Sequence, residues 1–246
     1  MADKSSRELV LIPCPLCGSQ ELAFFCEDSG MAFRRCADCG LVFLNPRPPR
    51  QTFADPAGEA EIGEDDRASA FSAWSQPRVK GFVKGAQLIS RHRGGGRLLD
   101  VGCGDGRFLS IMQKRGGFQL HGLEPDTAEA ARASRVLGIK IFPGTLEKAS
   151  YGEGSFDVVT MWDVLEHVQD PLRELKEVRR VLADDGLLLA RVPNLPYFRL
   201  KQALAGPCLR LREMTVYNPL HHLTYLDRRT ARLLLEKAGF EVLSLG

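Results

Sequence analysis

A short apolar run, Arg97-Leu98-Leu99-Asp100-Val101, ends in Gly102-Cys103-Gly104-Asp105-Gly106, and residues 106–115 continue as a helical pattern up to Gly116-Gly117. No other feature constrains the chain as much as this strand, glycine loop and helix. Glycines permit backbone angles and close approaches that a Cβ would block, so a ligand is expected against this backbone, at the carboxyl end of the strands. The spacing is G-x-G-x-G. The dinucleotide fingerprint G-x-G-x-x-G would need a glycine where the chain has Arg107. Glu124 closes the next strand-like run, where two carboxylate oxygens can accept from the two hydroxyls of a ribose.

The alternation continues on both sides of the loop. A helical pattern over 67–93 closes at Gly94-Gly95-Gly96. Strands are expected at 118–124, 139–142, 156–162, 187–192 and 240–245, and helices at 126–137, from 170 onward, and at 228–238 before Gly239. Asp170 suits an N-cap with Pro171 in the first helical position, and Leu172, Leu175, Val178 and Leu182 share one face. Such alternation predicts an α/β fold with a doubly wound, mostly parallel sheet.

Four segments carry a resemblance. Leu98–Gly106, Gly122-Leu123-Glu124-Pro125, Phe156-Asp157-Val158-Val159 and Leu165-Glu166-His167-Val168 have the order and spacing of the class I S-adenosylmethionine-dependent methyltransferases, which the chain resembles over residues 67–246. The resemblance implies a Rossmann-like methyltransferase fold with S-adenosyl-L-methionine as cofactor. It implies that Asp100 and the backbone at Gly102 and Gly104 hold the methionine part, and that Glu124 binds the ribose. Leu123 and Pro125 would flank the adenine, Leu146 and Glu147 would lie beside it, and Asp163 would line the methyl end. The family often has an acidic residue after the glycine preceding Leu146, whereas this chain has Thr145 after Gly144. The class usually ends in two antiparallel strands after the last helix; this chain has a run for one and stops at Gly246. An exposed sheet edge of that kind predicts pairing into a homodimer.

Five of the seven cysteines lie between residues 8 and 45. Cys14-Pro15-Leu16-Cys17-Gly18 and Cys36-Ala37-Asp38-Cys39-Gly40 are two C-x-x-C-G knuckles separated by 18 residues. Four thiolates on two such turns can surround one tetrahedral Zn2+, and the runs 22–25, 31–35 and 41–44 can supply short strands between and after them. The expected organisation is a small zinc ribbon at 1–45, a Pro- and Gly-containing linker at 46–66, and the α/β domain at 67–246. The metal is structural, because a ribbon of ~40 residues buries too little surface to fold alone and a closed four-thiolate site leaves no open position. A ribbon joined to Gly40–Pro48 and then to this domain also resembles many bacterial small-molecule methyltransferases.

Formal charge is +2, from 33 basic and 31 acidic residues, which gives no electrostatic reason to expect nucleic acid as a partner. No run approaches the ~20 apolar residues of a membrane span, and a cytoplasmic location is expected. A hydroxyl acceptor needs a base. The candidates are His167, after the fourth strand of the α/β domain, and His222, in Asn218-Pro219-Leu220-His221-His222-Leu223-Thr224-Tyr225. Asn194 is a candidate acceptor contact, and residues 196–217 read as a lid, a docking surface or a packed amphipathic helix. Three functions remain open on the sequence: methylation of a small acceptor (saccharide, phenol, quinone or secondary metabolite), methylation of RNA held by the ribbon, or cofactor binding without turnover.

Overall fold

The computed structural model describes residues 9–49, 76–205, 217, 219 and 222–246. In chain order the elements are β1 (Leu22–Asp28), β2 (Met31–Cys36), β3 (Val42–Leu44), α1 (Gln76–His92), β4 (Gly96–Val101), α2 (Arg107–Arg115), β5 (Phe118–Glu124), α3 (Thr127–Leu137) and β6 (Ile141–Pro143). They continue with α4 (Leu146–Ala149), β7 (Phe156–Trp162), α5 (Pro171–Val181), β8 (Leu182–Arg191), α6 (Leu195–Ala205), β9 (Thr224–Tyr225) and α7 (Arg228–Lys237). Two compact units result, one drawn from the described residues within 53–162 and 177–191, the other from those within 1–52, 163–176 and 192–246.

The first unit is a parallel five-stranded sheet, order β6-β5-β4-β7-β8, with flanking helices. Its central strands are apolar on both faces: Leu98, Leu99, Val158, Val159 and Met161 are all solvent-free. Each such side chain contributes about 1.5–3 kcal/mol by leaving water, which is why near-continuous apolar runs become central parallel strands. Phe82 of α1 and Phe108 of α2 meet Trp162 with ring centroids 5.0 and 4.9 Å away. Asp126 caps α3 by accepting from the amides of Ala128 and Glu129, and Gly138 ends it in the left-handed region.

The second unit is built on a four-stranded antiparallel sheet, order β1-β2-β3-β9. Its fourth strand comes from residues 224–225, so the ribbon is not closed on residues 1–45. Nor does a linker begin at 46: Val10 and Arg47 exchange backbone hydrogen bonds of 2.9 and 3.0 Å, and the Asn45 side chain clamps the main chain of Ile12 through both its oxygen and its nitrogen. Residues 50–66 lie outside the described residues, as do residues 67–75 of the first expected helix and His221. Lys237 of α7 donates to the carbonyl of Leu16 inside the first knuckle.

Most expected elements are present with shifted ends. The helix opening at Asp170-Pro171 has its cap, with the Arg173 amide bound to the Asp170 carboxylate at 2.9 Å. The expected strand at 187–192 begins earlier, at Leu182. The strand expected at 240–245 does not form. The Gly239 amide turns back to Glu236 and that of Phe240 to Leu235, closing the end of α7, and among the described residues no strand offers 240–246 a ladder.

Candidate active site

The glycine loop leaves β4 at Val101 and enters α2 at Arg107. Gly102, Gly104 and Gly106 all have positive φ, so the chain can fold sharply without Cβ strain. Exposure alternates along it: Cys103 and Asp105 are buried, Gly102 and Gly104 are partly open. Among the described residues, nothing lies within 4 Å of where a Cβ on Gly104 would sit, so bare backbone is offered there. Beneath, Gly122 of β5 lets the strand approach the loop and α2; a Cβ on it would stand 3.0 Å from both Cys103 and Leu109. The Glu124 carboxylate reaches back over the loop, accepting from the Gly104 amide at 2.9 Å and the Asp126 amide at 3.0 Å. One oxygen takes each bond, leaving acceptor capacity on both. Burial pushes Glu124 above the usual carboxylate range, and these two amides draw it back.

Asp100 lies in β4 just before the loop. It is 1% exposed, and its carboxylate accepts from the Thr160 hydroxyl of β7 at 2.6 Å, so its side chain supports the loop from inside the sheet. Burial pushes its pKa up to about 7, against the lowering by Thr160 and with a further push from the charge of Glu124. Asp105 folds under the loop, accepting from the Arg107 amide at 3.1 Å and lying 3.6 Å from the Arg107 guanidinium. Leu146, expected at the adenine, is wholly buried; it is a core residue, and Thr145 and Glu147 carry the surface of that turn. Pro125 is half-buried between Glu124 and the α3 cap. Asp163 directly follows β7 with φ +56, a conformation in which a side chain is strained.

The four ribbon cysteines converge. Cys14 and Cys39 are 3.5 Å apart at sulfur, as are Cys17 and Cys36, and all four Sγ atoms lie within 4.8 Å of one another. Both knuckles repeat one geometry: the amide of Gly18 bonds to the Cys14 carbonyl and that of Gly40 to the Cys36 carbonyl, with φ +80 and +83 at the two glycines. Burial pushes the Cys14 thiol up and Cys39 up to about 11, whereas amides of Cys39 and Asp38 and the Cys17 thiol bring Cys36 down to about 7 against its own burial. Four sulfurs gathered this closely fit one cation that would hold them as thiolates.

His167 and His222 come together in the second unit, their rings 4.9 Å apart. Glu166, 2% exposed, lies 4.0 Å from His167 Nε2. His222 Nδ1 is 2.9 Å from the Tyr225 hydroxyl, and that hydroxyl donates to the carbonyl of Tyr217. Asn194 bridges in parallel to Leu226. Thr160, Tyr217 and Tyr225 were not singled out from sequence. For Thr160 a signal existed, a hydroxyl within the apolar run FDVVTMW at the position that pairs with Asp100; for Tyr225 there was none, since the strand that fixes it pairs with Val42 and Phe43, far away in the chain.

A methyltransferase-domain model matches residues 73–245. The chain belongs to the methyltransferase family. Curated relatives include the ubiquinone biosynthesis O-methyltransferases of Caulobacter sp. K31, 38% identical over 166 residues (56% of this chain, 66% of the relative), and of Caulobacter vibrioides, 35% identical over 103 residues (39% of this chain, 40% of the relative). The chain thus spans under two thirds of each of these relatives. Among solved structures, a SAM-dependent methyltransferase from Thermotoga maritima superimposes with TM-score 0.53 at 23% identity, covering 71% of this chain and 78% of that one. The plantazolicin methyltransferase BpumL in complex with SAH gives TM-score 0.54 at 17% identity, covering 72% and 71%. At these identities the likeness concerns the fold: the class I, Rossmann-like S-adenosylmethionine-dependent methyltransferase fold. Among the described residues, no helix is long and apolar enough to cross a membrane.

Proposed function

We propose that this enzyme transfers a methyl group from S-adenosylmethionine to a hydroxyl of a small phenol- or quinol-type acceptor. The observation that carries the reading is the open backbone at Gly104 beneath the Glu124 carboxylate, in a chain whose relatives include O-methyltransferases of ubiquinone biosynthesis. Gly102 and Gly104 would receive the methionine end, Glu124 the ribose diol and Pro125 the adenine, with Asp100 holding the loop from beneath. When bound, the sulfonium supplies an already activated methyl, so the protein's task is to position the acceptor and exclude water. Asp163 follows β7 directly in the chain and would border the methyl end. The base would be His222 Nε2, with His167 beside it, taking the acceptor's hydroxyl proton as the oxygen–methyl bond forms and the sulfur–methyl bond breaks. The four cysteines would hold one structural Zn2+. The setting is cytoplasmic, and the outer edge of β8, which has no strand partner among the described residues, would pair two copies.

The test is turnover with radiolabelled methyl donor on 3,4-dihydroxybenzoate and a short-tailed ubiquinol carrying a free ring hydroxyl. Label transfer to oxygen is expected for wild type. His222→Gln should lower kcat by about 10²-fold or more, the usual scale of general-base catalysis, with donor affinity preserved. Failure to bind the donor at all in calorimetry would overturn the assignment.

A further inference from the structure

We propose that Tyr225 is a positioning residue for methyl transfer: its phenol fixes the ring and tautomer of His222, and the ribbon fixes Tyr225. The proposal rests on the reading of His222 as the base. It follows from counting protons. Tyr225 has one hydroxyl proton, and a backbone carbonyl can only accept; the bond to the Tyr217 carbonyl therefore uses that proton. The Tyr225 oxygen is then the acceptor toward His222 Nδ1, 2.9 Å away. Nδ1 must carry the ring proton, and the neutral imidazole keeps its lone pair on Nε2. A base held by a third group in one tautomer is the recurring arrangement of activated proton acceptors; here the third group is a neutral phenol.

Tyr225 does not hold its own place. Its strand β9 is two residues long, too short to persist unpaired. It is fixed by antiparallel pairing with β3, Val42 opposite Tyr225 and Phe43 opposite Thr224, and by the Leu44 amide bound to the Leu223 carbonyl at 2.8 Å. The Tyr225 ring sits among Phe33 of β2, Phe198 of α6 and Tyr217, with centroids 5.6, 5.0 and 5.2 Å away. On its other side the Leu223 amide bonds to the Glu166 carbonyl at 2.6 Å, next to His167. The ribbon is thus a template for the base, which gives it a role beyond folding itself.

His167, the buried carboxylate of Glu166 and Tyr225 face His222. Behind Tyr225, Tyr217, Cys26 and Asp28 act on the phenol. Removing the Tyr225 hydroxyl takes an acceptor from the imidazolium and frees the neutral ring to take either tautomer. Tyr225→Phe should therefore lower kcat on 3,4-dihydroxybenzoate about tenfold or more. It should shift the acid limb of the kcat–pH profile to lower pH and leave the donor Kd within about twofold. Nitrogen-15 spectra of wild-type protein labelled in histidine should show neutral His222 protonated at Nδ1, a readout that needs no variant to fold. A His222 proton on Nε2 overturns the proposal. So does a Tyr225→Phe enzyme with wild-type kcat and an unmoved acid limb while His222→Gln is inactive. Full activity of His222→Gln instead removes the underlying base assignment, and the two failures are told apart by which variant stays active.

Discussion

Gly104 and Gly106 are two residues apart and share a left-handed backbone, φ +53 and +76, yet a methyl added at each meets different surroundings. At Gly104 it meets no atom of the described residues within 4 Å; at Gly106 it comes within 2.5 Å of Leu137 Cδ1 on α3. Both alanines carry the left-handed penalty of about 1–2 kcal/mol, and Gly106→Ala adds overpacking of about 1–3 kcal/mol. Denaturant titrations should therefore show Gly106→Ala as the more destabilised. Calorimetry should show Gly104→Ala as the one that loses donor affinity, by tenfold or more, because its methyl occupies the backbone face offered to the ligand. Equal donor affinity for Gly104→Ala and wild type would mean the ligand lies elsewhere. Asp100 supplies a pH test. Its folded pKa of about 7 stands well above the ordinary aspartate range of about 4. Its contribution to stability is therefore full below about 4 and is lost as pH rises through about 7, at up to ~1.4 kcal/mol per pH unit. Asp100→Asn, neutral throughout, should lose that slope when ligand-free protein is unfolded at pH 5 and pH 7.5; parallel slopes would show that Asp100 does not titrate in this window.

At the scale of elements, the two cysteine knuckles act as a single unit. Zinc analysis should give about one ion per chain, and Cys36→Ser should abolish stoichiometric binding and lower the melting temperature, since a four-thiolate site contributes folding free energy directly; undiminished zinc in that variant would remove these cysteines from the ligand set. The knuckles, the glycine loop and the Asp170-Pro171 helix start were legible in sequence because each is a local pattern enforced by local chemistry: two turns of C-x-x-C-G, glycines at positive φ, a carboxylate over free amides. What escaped was long-range. The bond between Asp100 and Thr160 depends on the register of β4 against β7, which no local pattern announces. Leu146 reads as a pocket wall until the core closes over it. Nothing local to Thr224-Tyr225 announces a strand, because its ladder partner is Val42-Phe43, far away in the chain. The apolar run at 240–245 has strand composition, but composition supplies no neighbour.

At the scale of the whole molecule, that missing neighbour has a consequence. The parallel sheet ends at β8, Leu182–Arg191, and among the described residues only β7 pairs with it. An edge ten residues long presents a row of backbone donors and acceptors that favours pairing with another strand unless something blunts it. Asp184 and Asp185 lie at the start of β8, and Asp185 is held by Arg93 at 2.9 Å, so charge stands at the ends of the edge, with Arg191 closing the other end. The stretch from Leu187 to Arg191 is largely apolar, with Leu187, Leu188 and Leu189 in succession. Pairing of two such edges related by a two-fold axis would satisfy both rows at once, the closed symmetry most homodimers adopt. Light scattering across a micromolar dilution series should accordingly show a mass near twice that of one chain, falling toward the monomer only on dilution. Leu188→Lys, which sets like charges near one another across such an axis, should move that transition to higher concentration. A single monomeric mass over the whole range would show that the β8 edge is covered within one chain.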